Sequence, residues 1–441
     1  MMDSELNQHT VVVREERVPT RPITAVGLFF LIFGFVILLL GLGLGVNSAN
    51  PEFVRRTMFS WHFAYMVCFT ISAGALFWVL LHAITNSGWG VLVRRQMENL
   101  SLLIIPVAVF AVPFLLFKDK IFYWLTLKPG YDPLLDSKAF YLNEKMFLLR
   151  AVGYFVVLIS GALLFRHLSV SQDRDGDPVK TVRARQWSAL YVPLFAITIT
   201  FSAIDWMMSL DHHWFSTMWG VYIFAGSAWS SMALLILLCN ALRSFGYFKN
   251  VFTQEHNHIM GKLLFAFTVF WAYVAFSQYM LIYYANIPEE TWFYIHRNLT
   301  FGIDPVTEQP ILKRNSWFWM SVSLVIFHFF VPFLLLLTQP AKRSTKRLSF
   351  VCVLALVMHV VDIYYIIMPM EQVISAKKAL KENPVQKMWQ TTTGVDLHVF
   401  DVVFLLGMAM VLLGSLLCIL PRASLFPVRD PRLRESLQLT N

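Results

Sequence analysis

Charged residues are scarce in this chain. Asp, Glu, Lys and Arg make up only 14% of its 441 residues, whereas roughly a quarter is usual in soluble domains. Hydrophobic residues make up 57%, and they fall into repeated runs of about 20, each long enough to cross the hydrocarbon core of a bilayer. Together these features exclude a soluble globular protein and predict an all-α polytopic membrane protein.

Cysteine is also scarce, and the few cysteines are not arranged as metal ligands. The four lie inside separate apolar runs: Cys68, Cys239, Cys352 and Cys418. Because none belongs to a CxxC or CxxCH motif, the sequence offers neither an iron–sulfur ligand set nor an attachment site for a c-type haem. His62 and His82, the closest histidines within one run, would lie at opposite ends of a helix, which disfavours a b-type dihaem cytochrome. We therefore expect the chain to bind no redox cofactor of its own.

Hydropathy predicts about ten membrane-spanning helices. The predicted spans are 23–46, 58–84, 101–117, 146–165, 187–208, 214–242, 260–285, 315–338, 348–368 and 397–420. Lys and Arg exceed Asp and Glu by 36 − 27 = 9, and most of the basic residues fall on the side of the N-terminus. In a membrane chain this excess indicates topology and not nucleic-acid binding, and it predicts that both termini are cytoplasmic.

The middle of the chain resembles an internal repeat. Spans two to five and six to nine form two predicted four-helix bundles, flanked by helices one and ten. The predicted divisions are 1–22 for a cytoplasmic tail, 23–57 for the first helix and an outer loop, 58–213 and 214–395 for the two bundles, and 396–441 for the last helix and tail. Each bundle begins with a helix rich in small residues and ends with an acid near its outer edge. A chance alignment of apolar helices is the alternative.

Ionisable residues within the spans predict a proton path. Such side chains are costly in a membrane unless they face a cavity or a partner. His359 precedes Asp362 by three residues and so shares its helix face, and His328 is predicted at a similar depth on the preceding helix. The further candidates for the path are Asp205, Asp401 and Lys262. For each of these residues a purely structural role is the alternative.

A second polar cluster surrounds the predicted turn between the two bundles. Imidazole and carboxylate groups accept the hydroxyl protons of a quinol, and aromatic rings stack on its head. The residues predicted to face a quinone are His62, Arg150, Asp205, Trp206, Asp211 and His213. An ordinary aromatic belt at the membrane interface is the alternative.

Three stretches resemble a known family. They are SAIDWMMSLDHHWFSTMWGVY from Ser202, GKLLFAF from Gly261 and FSQYMLIYYANIPEET from Phe276. They are similar to the NrfD and polysulfide-reductase family of membrane subunits, and within it to the ActF-type subunits of bacterial alternative complex III. Where that type has Asp-Pro-His in the turn, this chain has Asp211-His212-His213, so the matching imidazole is His213 and His212 is a departure.

The resemblance implies a subunit of a complex in the bacterial inner membrane. Its implied partners are an ActC-like sister subunit, an iron–sulfur subunit, c-type haem subunits and other membrane subunits. Such a complex oxidises quinol, usually menaquinol, and passes electrons to a cytochrome c or a terminal oxidase, and its better-supported quinol site lies in the ActC-like subunit. Two other functions stay open, an independent ion-coupled transporter and an assembly scaffold without proton traffic.

Overall fold

A computed structural model describes residues 15–249, 251–303, 310–379 and 392–439. Within these ranges ten helices are long and apolar enough to cross a membrane. The prediction of an all-α polytopic membrane fold is therefore confirmed. The structure contains the protein chain and no lipid bilayer, so the predicted orientation and the cytoplasmic position of the termini stay predictions.

The long helices supply the spans. They are α1 (Thr20–Val46), α2 (Pro51–Ile84), α3 (Val91–Ser101) and α4 (Ile104–Leu116), α7 (Glu144–Asp175), α8 (Val179–Trp206), α9 (Trp219–Ser244), α10 (Gln254–Ala285), α12 (Ser316–Ser323) and α13 (Val331–Leu336), α15 (Thr345–Ala379) and α16 (Val399–Ile419). Helices α3 and α4 together form the third span, and α12 and α13 belong to the eighth. A π-helical segment, Leu324–Phe330, joins α12 to α13.

Short elements occupy the connections. They are α5 (Lys118–Ile121), α6 (Pro133–Ser137), α11 (Pro288–Asn298), α14 (Gln339–Arg343), α17 (Leu433–Leu437) and an antiparallel hairpin of β1 (Leu299–Ile303) and β2 (Pro310–Arg314). In the hairpin, Leu299 lies opposite Arg314.

The third span begins well before its predicted bound. Hydropathy predicts 101–117, but the helical run begins at Val91 and is interrupted between α3 and α4. Its first half carries Arg94, Arg95 and Glu98, which are too polar for a hydropathy window. Glu98 is only 1% exposed, because these charges pair with one another inside the protein.

The helices group as two four-helix bundles. In the first, α2 contacts α3, α4, α7 and α8; in the second, α9 contacts α10 and α15, and α13 packs between those two. The bundles join where α2 packs against α9 and α15. At this junction a Cβ atom added to Gly74 would lie 2.0 Å from the carbonyl oxygen of Ser227, so only glycine permits the two backbones to approach this closely.

Helices α1 and α16 pair with each other, and α16 also packs on α2. They approach closely at Gly414, where an added Cβ would lie 2.6 Å from the carbonyl oxygen of Gly27. The backbone N–H of Leu425 donates to the carbonyl oxygen of Glu16 at 2.9 Å, so the two described chain ends meet. We call this end of the protein the terminal end, and the opposite end, with α11 and the hairpin, the loop end.

Candidate functional site

Asp362 lies in the middle of α15 and is 2% exposed. The hydroxyl of Tyr222, on α9, donates a hydrogen bond to its Oδ1 at 2.5 Å. Across the described part of the chain, no nitrogen of Lys, Arg or His lies within 4.0 Å of the Asp362 carboxylate. This acid is therefore buried with a neutral hydroxyl as its partner and without a cation.

His359 lies one turn before Asp362, as predicted, and faces the junction between the bundles. Its Nε2 is 2.8 Å from the hydroxyl oxygen of Thr70 on α2. The Thr70 hydroxyl also lies 2.8 Å from the carbonyl oxygen of Met66. Because a hydroxyl has one proton to donate, and the carbonyl only accepts, the consistent arrangement has Nε2–H of His359 donating to Thr70. The ring packs beside Gly226 of α9, so His359 and Asp362 both approach α9.

His328 lies in the π-helical segment between α12 and α13. Its ring is stacked between two tryptophans, with centroids 3.7 Å from Trp271 and 4.1 Å from Trp229. Neither ring nitrogen has a hydrogen-bond partner among the described residues. The Trp271 ring lies 5.8 Å from that of Tyr222, so an aromatic stack links His328 to the partner of Asp362. Short π-helical segments are frequent at functional sites in membrane and soluble proteins alike.

A cavity of about 730 Å³ lies beside this stack, between α10 and the helices of the eighth span. Its inner wall includes Tyr222 and the buried Trp271, and its rim includes Phe276 and Phe330, which are 62% and 50% exposed. The lining is mostly apolar and aromatic. Besides the tyrosines, its polar lining residues include Gln278, Asn298, Arg314 and Ser321. A cavity of this size and lining is typical of a site for a small organic molecule.

Asp205 lies in the last turn of α8 and has different partners. Arg150 donates two hydrogen bonds to it, from Nε to Oδ2 at 2.7 Å and from Nη2 to Oδ1 at 2.9 Å. The Tyr154 hydroxyl donates a third, to Oδ2 at 2.7 Å. The Arg150 guanidinium also stacks 3.8 Å above the ring of Tyr141. The charge of Asp205 is thus offset by a cation in a two-bond pair.

Asp205 and Asp362 do not occupy matching positions in their helices. Asp205 is the next-to-last residue of α8, whereas α15 continues well beyond Asp362 to Ala379. The two acids therefore differ in how much helix follows them. The prediction that each lies near the outer edge of its span stays a prediction, because the structure contains no lipid boundary.

Trp206 and His62, both predicted to face a quinone, lie in the interior of the first bundle. The Trp206 ring is fully buried and lies 4.9 Å from the ring of Phe69 and 5.9 Å from that of Phe155. His62 Nε2 is 2.7 Å from the carbonyl oxygen of Trp206, which requires Nε2–H to donate. Rings of the protein itself pack around both residues, so their surroundings differ from the open cavity of the second bundle.

Asp401 caps the start of α16. It accepts hydrogen bonds from Arg56 at 2.6 and 2.8 Å, from the Ser60 hydroxyl at 2.6 Å and from the backbone N–H of His398 at 2.9 Å. This carboxylate is fully partnered, and its contacts tie α16 to α2.

Lys262 lies apart from the other candidates for the path. It is an exposed residue near the start of α10, toward the terminal end, and it forms no ion pair among the described residues. The structure therefore brings together His359, Asp362 and, through the aromatic stack, His328.

The last two candidates lie in the turn between α8 and α9. Asp211 accepts a hydrogen bond from the backbone N–H of His213 at 3.3 Å. The ring of His213 points to Asp132, in the connection before α6, with Nε2 2.6 Å from Oδ2. Burial alone would raise the pKa of Asp132, but hydrogen bonds from His212 and His213 outweigh it and lower the pKa to about 2.

Sequence reasoning missed several residues of these sites. Tyr222 and Thr70 lie on other helices than the acid and imidazole they bind, and one sequence does not indicate which helix faces meet. A buried charge network at the terminal end was missed too. Its members are Arg94, Arg95, Glu98, Arg166, Asp173 and Asp430. The spacing of Arg94, Arg95 and Glu98 by three and four residues was the available signal.

No protein-family model matches the chain, and no curated protein matches it. The likeness to NrfD-type subunits therefore depends on the three stretches quoted above, and the family stays a prediction.

Proposed function

We propose that this chain is a proton-conducting membrane subunit of a respiratory quinol-oxidising complex, of the ActF type found in alternative complex III. The observation that carries the proposal is the environment of Asp362, a buried acid that is hydrogen-bonded to Tyr222, lies one turn from His359 and has no cationic partner among the described residues. Such intramembrane acids mark proton relays.

The chemistry of Asp362 suits the transfer of one proton at a time. Its carboxylate accepts the Tyr222 hydrogen bond, and the protonated acid accepts the same bond through its carbonyl oxygen. The helices therefore need not move when the proton arrives or leaves. His359 adds a second exchangeable group on the same face of α15 and leads to Thr70 in the first bundle.

We place the quinone-facing surface at the cavity of the second bundle. Tyr222 lines that cavity and also donates to Asp362, so a quinol hydroxyl bound beside Tyr222 would be two hydrogen bonds from the acid. Aromatic walls suit a flat ring, and the exposed rim next to α10 suits an apolar tail. For the first-bundle residues around Trp206, the quinone-facing role stays a prediction. These residues have less open space around them.

The redox centres of the proposed complex belong to its partners. We assign them to an iron–sulfur subunit and c-type haem subunits, beside an ActC-like sister subunit, with menaquinol as donor and a cytochrome c or a terminal oxidase as acceptor. We place the chain in the bacterial inner membrane, embedded in the lipid bilayer, with both termini in the cytoplasm, because most basic residues lie on that side.

The transporter alternative has less support. Transporters built from repeats usually have interrupted helices at corresponding positions of the two halves. Here the third span is interrupted between α3 and α4, which is the second helix of the first bundle. The π-helical segment lies in the third helix of the second bundle. The two irregularities therefore do not correspond.

Affinity purification from native membranes tests the proposal. A tagged full chain, extracted in mild detergent, should co-purify with polypeptides that carry c-type haem and should show quinol:cytochrome c or quinol oxidase activity. The chain separated from its partners should show no haem absorbance. A homomer without haem partners that takes up a solute in vesicles would contradict the proposal, and so would haem retained by the separated chain.

A further inference from the structure

The turn between α8 and α9 and the connection before α6 place three metal-ligating side chains together. One ligand atom from each of Asp132, His212 and His213 lies within 4.8 Å of the other two. The Asp132 Oδ2 atom is 2.9 Å from Nε2 of His212 and 2.6 Å from Nε2 of His213. Both imidazole rings therefore point their Nε2 atoms at the same oxygen of Asp132, Oδ2.

The carboxylate is held in place by its other oxygen. Oδ1 of Asp132 accepts from the backbone N–H of Leu134 at 3.0 Å and from that of Leu135 at 3.4 Å. Oδ2 is left to point at the two imidazoles. A metal ligand that is oriented in this way by a second contact loses less freedom on binding.

The neighbouring charges allow a cation to bind. The carboxylate groups of Asp132 and Asp211 lie in or near this cluster and contribute negative charge. Lys138 is the nearby cation, and its Nζ donates to the backbone oxygen of His212 at 2.8 Å. Both Asp211 and Asp132 lie close enough to attract Lys138, so two carboxylates offset this one positive charge.

We propose that Asp132, His212 and His213 bind one Zn²⁺ ion at the loop end of the first bundle. Two imidazole nitrogens and one carboxylate oxygen are ligands that zinc takes at about 2.0–2.2 Å in sites with three protein ligands. Tetrahedral ligand atoms around zinc lie about 3.3 Å apart, so each imidazole nitrogen needs to move away from Oδ2 by less than about 1 Å. The side chain of His213 is 47% exposed, which leaves the fourth position open to water.

A bound ion would tie the 118–143 connection to the turn that follows α8. That role is independent of quinol oxidation, because none of the three ligands contacts Asp362 or the cavity beside Tyr222. A result that overturns the zinc site would therefore leave the proposed function intact, and the reverse also holds.

Zinc titration of the purified full chain tests this site. The chain carries a tag without histidine, is stripped with a chelator in detergent, and is titrated with Zn²⁺ against a fluorescent indicator. One ion per chain is expected, and His213→Ala should weaken binding at least about tenfold. His213 is half-exposed, so this variant should fold. His167→Ala, which removes an exposed histidine of α7, is the matched control and should bind as the parent does.

Two further measurements use the same site. Asp132→Asn keeps the Oδ1 contacts with α6 but loses the charge, and it should also weaken Zn²⁺ binding. Co²⁺ in place of Zn²⁺ should give the visible absorption of a tetrahedral site, and His213→Ala should lose it. The proposal is overturned if the parent chain binds no stoichiometric Zn²⁺, or if His213→Ala and His167→Ala bind it with the same affinity.

Discussion

Asp205 and Asp362 are both buried acids on the fourth helix of their bundles, yet their partners differ. Asp205 shares two hydrogen bonds with Arg150 and one with Tyr154. Asp362 has the Tyr222 hydroxyl, and the described residues offer it no cation. An ion pair fixes a carboxylate in its charged form, whereas a neutral partner leaves the proton free to come and go. On the proposed function, this difference makes Asp205 the structural acid and Asp362 the acid that exchanges protons.

The two bundles also differ in the open space beside their buried acids. In the first bundle, aromatic rings such as Phe69 and Phe155 fill the space around Trp206. In the second bundle, a cavity of about 730 Å³ remains open next to Tyr222. The two bundles therefore differ: the first is filled by aromatic side chains around Trp206, and the second leaves Tyr222 accessible from a cavity.

Breaking the ion pair between Arg150 and Asp205 should have the largest effect on stability. Arg150→Met leaves Asp205 buried without a cation, and removal of one partner of a buried pair costs about 3–5 kcal/mol. We expect a correspondingly lower free energy of unfolding and poor assembly, measured by denaturant unfolding of the full chain in detergent. The double variant Arg150→Met, Asp205→Asn removes both charges, so it should recover most of the free energy of unfolding that the single variant loses. A single variant as stable as the parent would show that Asp205 does not depend on Arg150.

The two tyrosines that donate to the acids sharpen the comparison. Tyr222→Phe removes the hydrogen bond to Asp362, and we expect quinol oxidation by the assembled complex to slow about tenfold, the equivalent of one lost hydrogen bond to a charged group. Tyr154→Phe is the matched control, because Arg150 still neutralises Asp205. Its turnover should equal that of the parent. Equal slowing in both variants would remove the distinction between the acids.

His328→Phe should have the smallest effect. Phenylalanine preserves the stack between Trp229 and Trp271, and no described hydrogen bond to the imidazole is lost. We expect the free energy of unfolding to change by less than about 1 kcal/mol and turnover to stay within twofold, about 0.4 kcal/mol. Turnover that falls as far as in Tyr222→Phe would instead place His328 on the proton path, as the sequence predicts.

The fold was largely predictable because apolar runs of about 20 residues have few alternatives to membrane helices. The third span shows the limit. The α3 residues Arg94, Arg95 and Glu98 look like loop residues until their buried ion pairs are seen. Hydropathy measures the average polarity of a segment and does not detect charges that neutralise one another.

The site was predictable only along single helices. The three-residue spacing of His359 and Asp362 placed both on one face, and the structure confirms that both approach α9. Their partners Tyr222 and Thr70 come from other helices, and contacts of that kind depend on helix rotation and depth, which a single sequence does not specify. The sequence predicts that Arg150 and Asp205 face a quinone, and that Asp205 also belongs to the proton path, but it does not predict that the two pair with each other.

Proton release by the intact complex tests the central claim most directly. Asp362→Asn keeps the shape of the side chain and a Tyr222 hydrogen bond, so the complex should assemble with its full haem content. We predict that its proton-coupled turnover falls about 10²-fold, the usual contribution of a positioned acid–base group. Tyr154→Phe, measured in the same vesicles with a pH-sensitive dye, serves as the control. A fully assembled Asp362→Asn complex with the turnover and proton release of the parent would contradict the account.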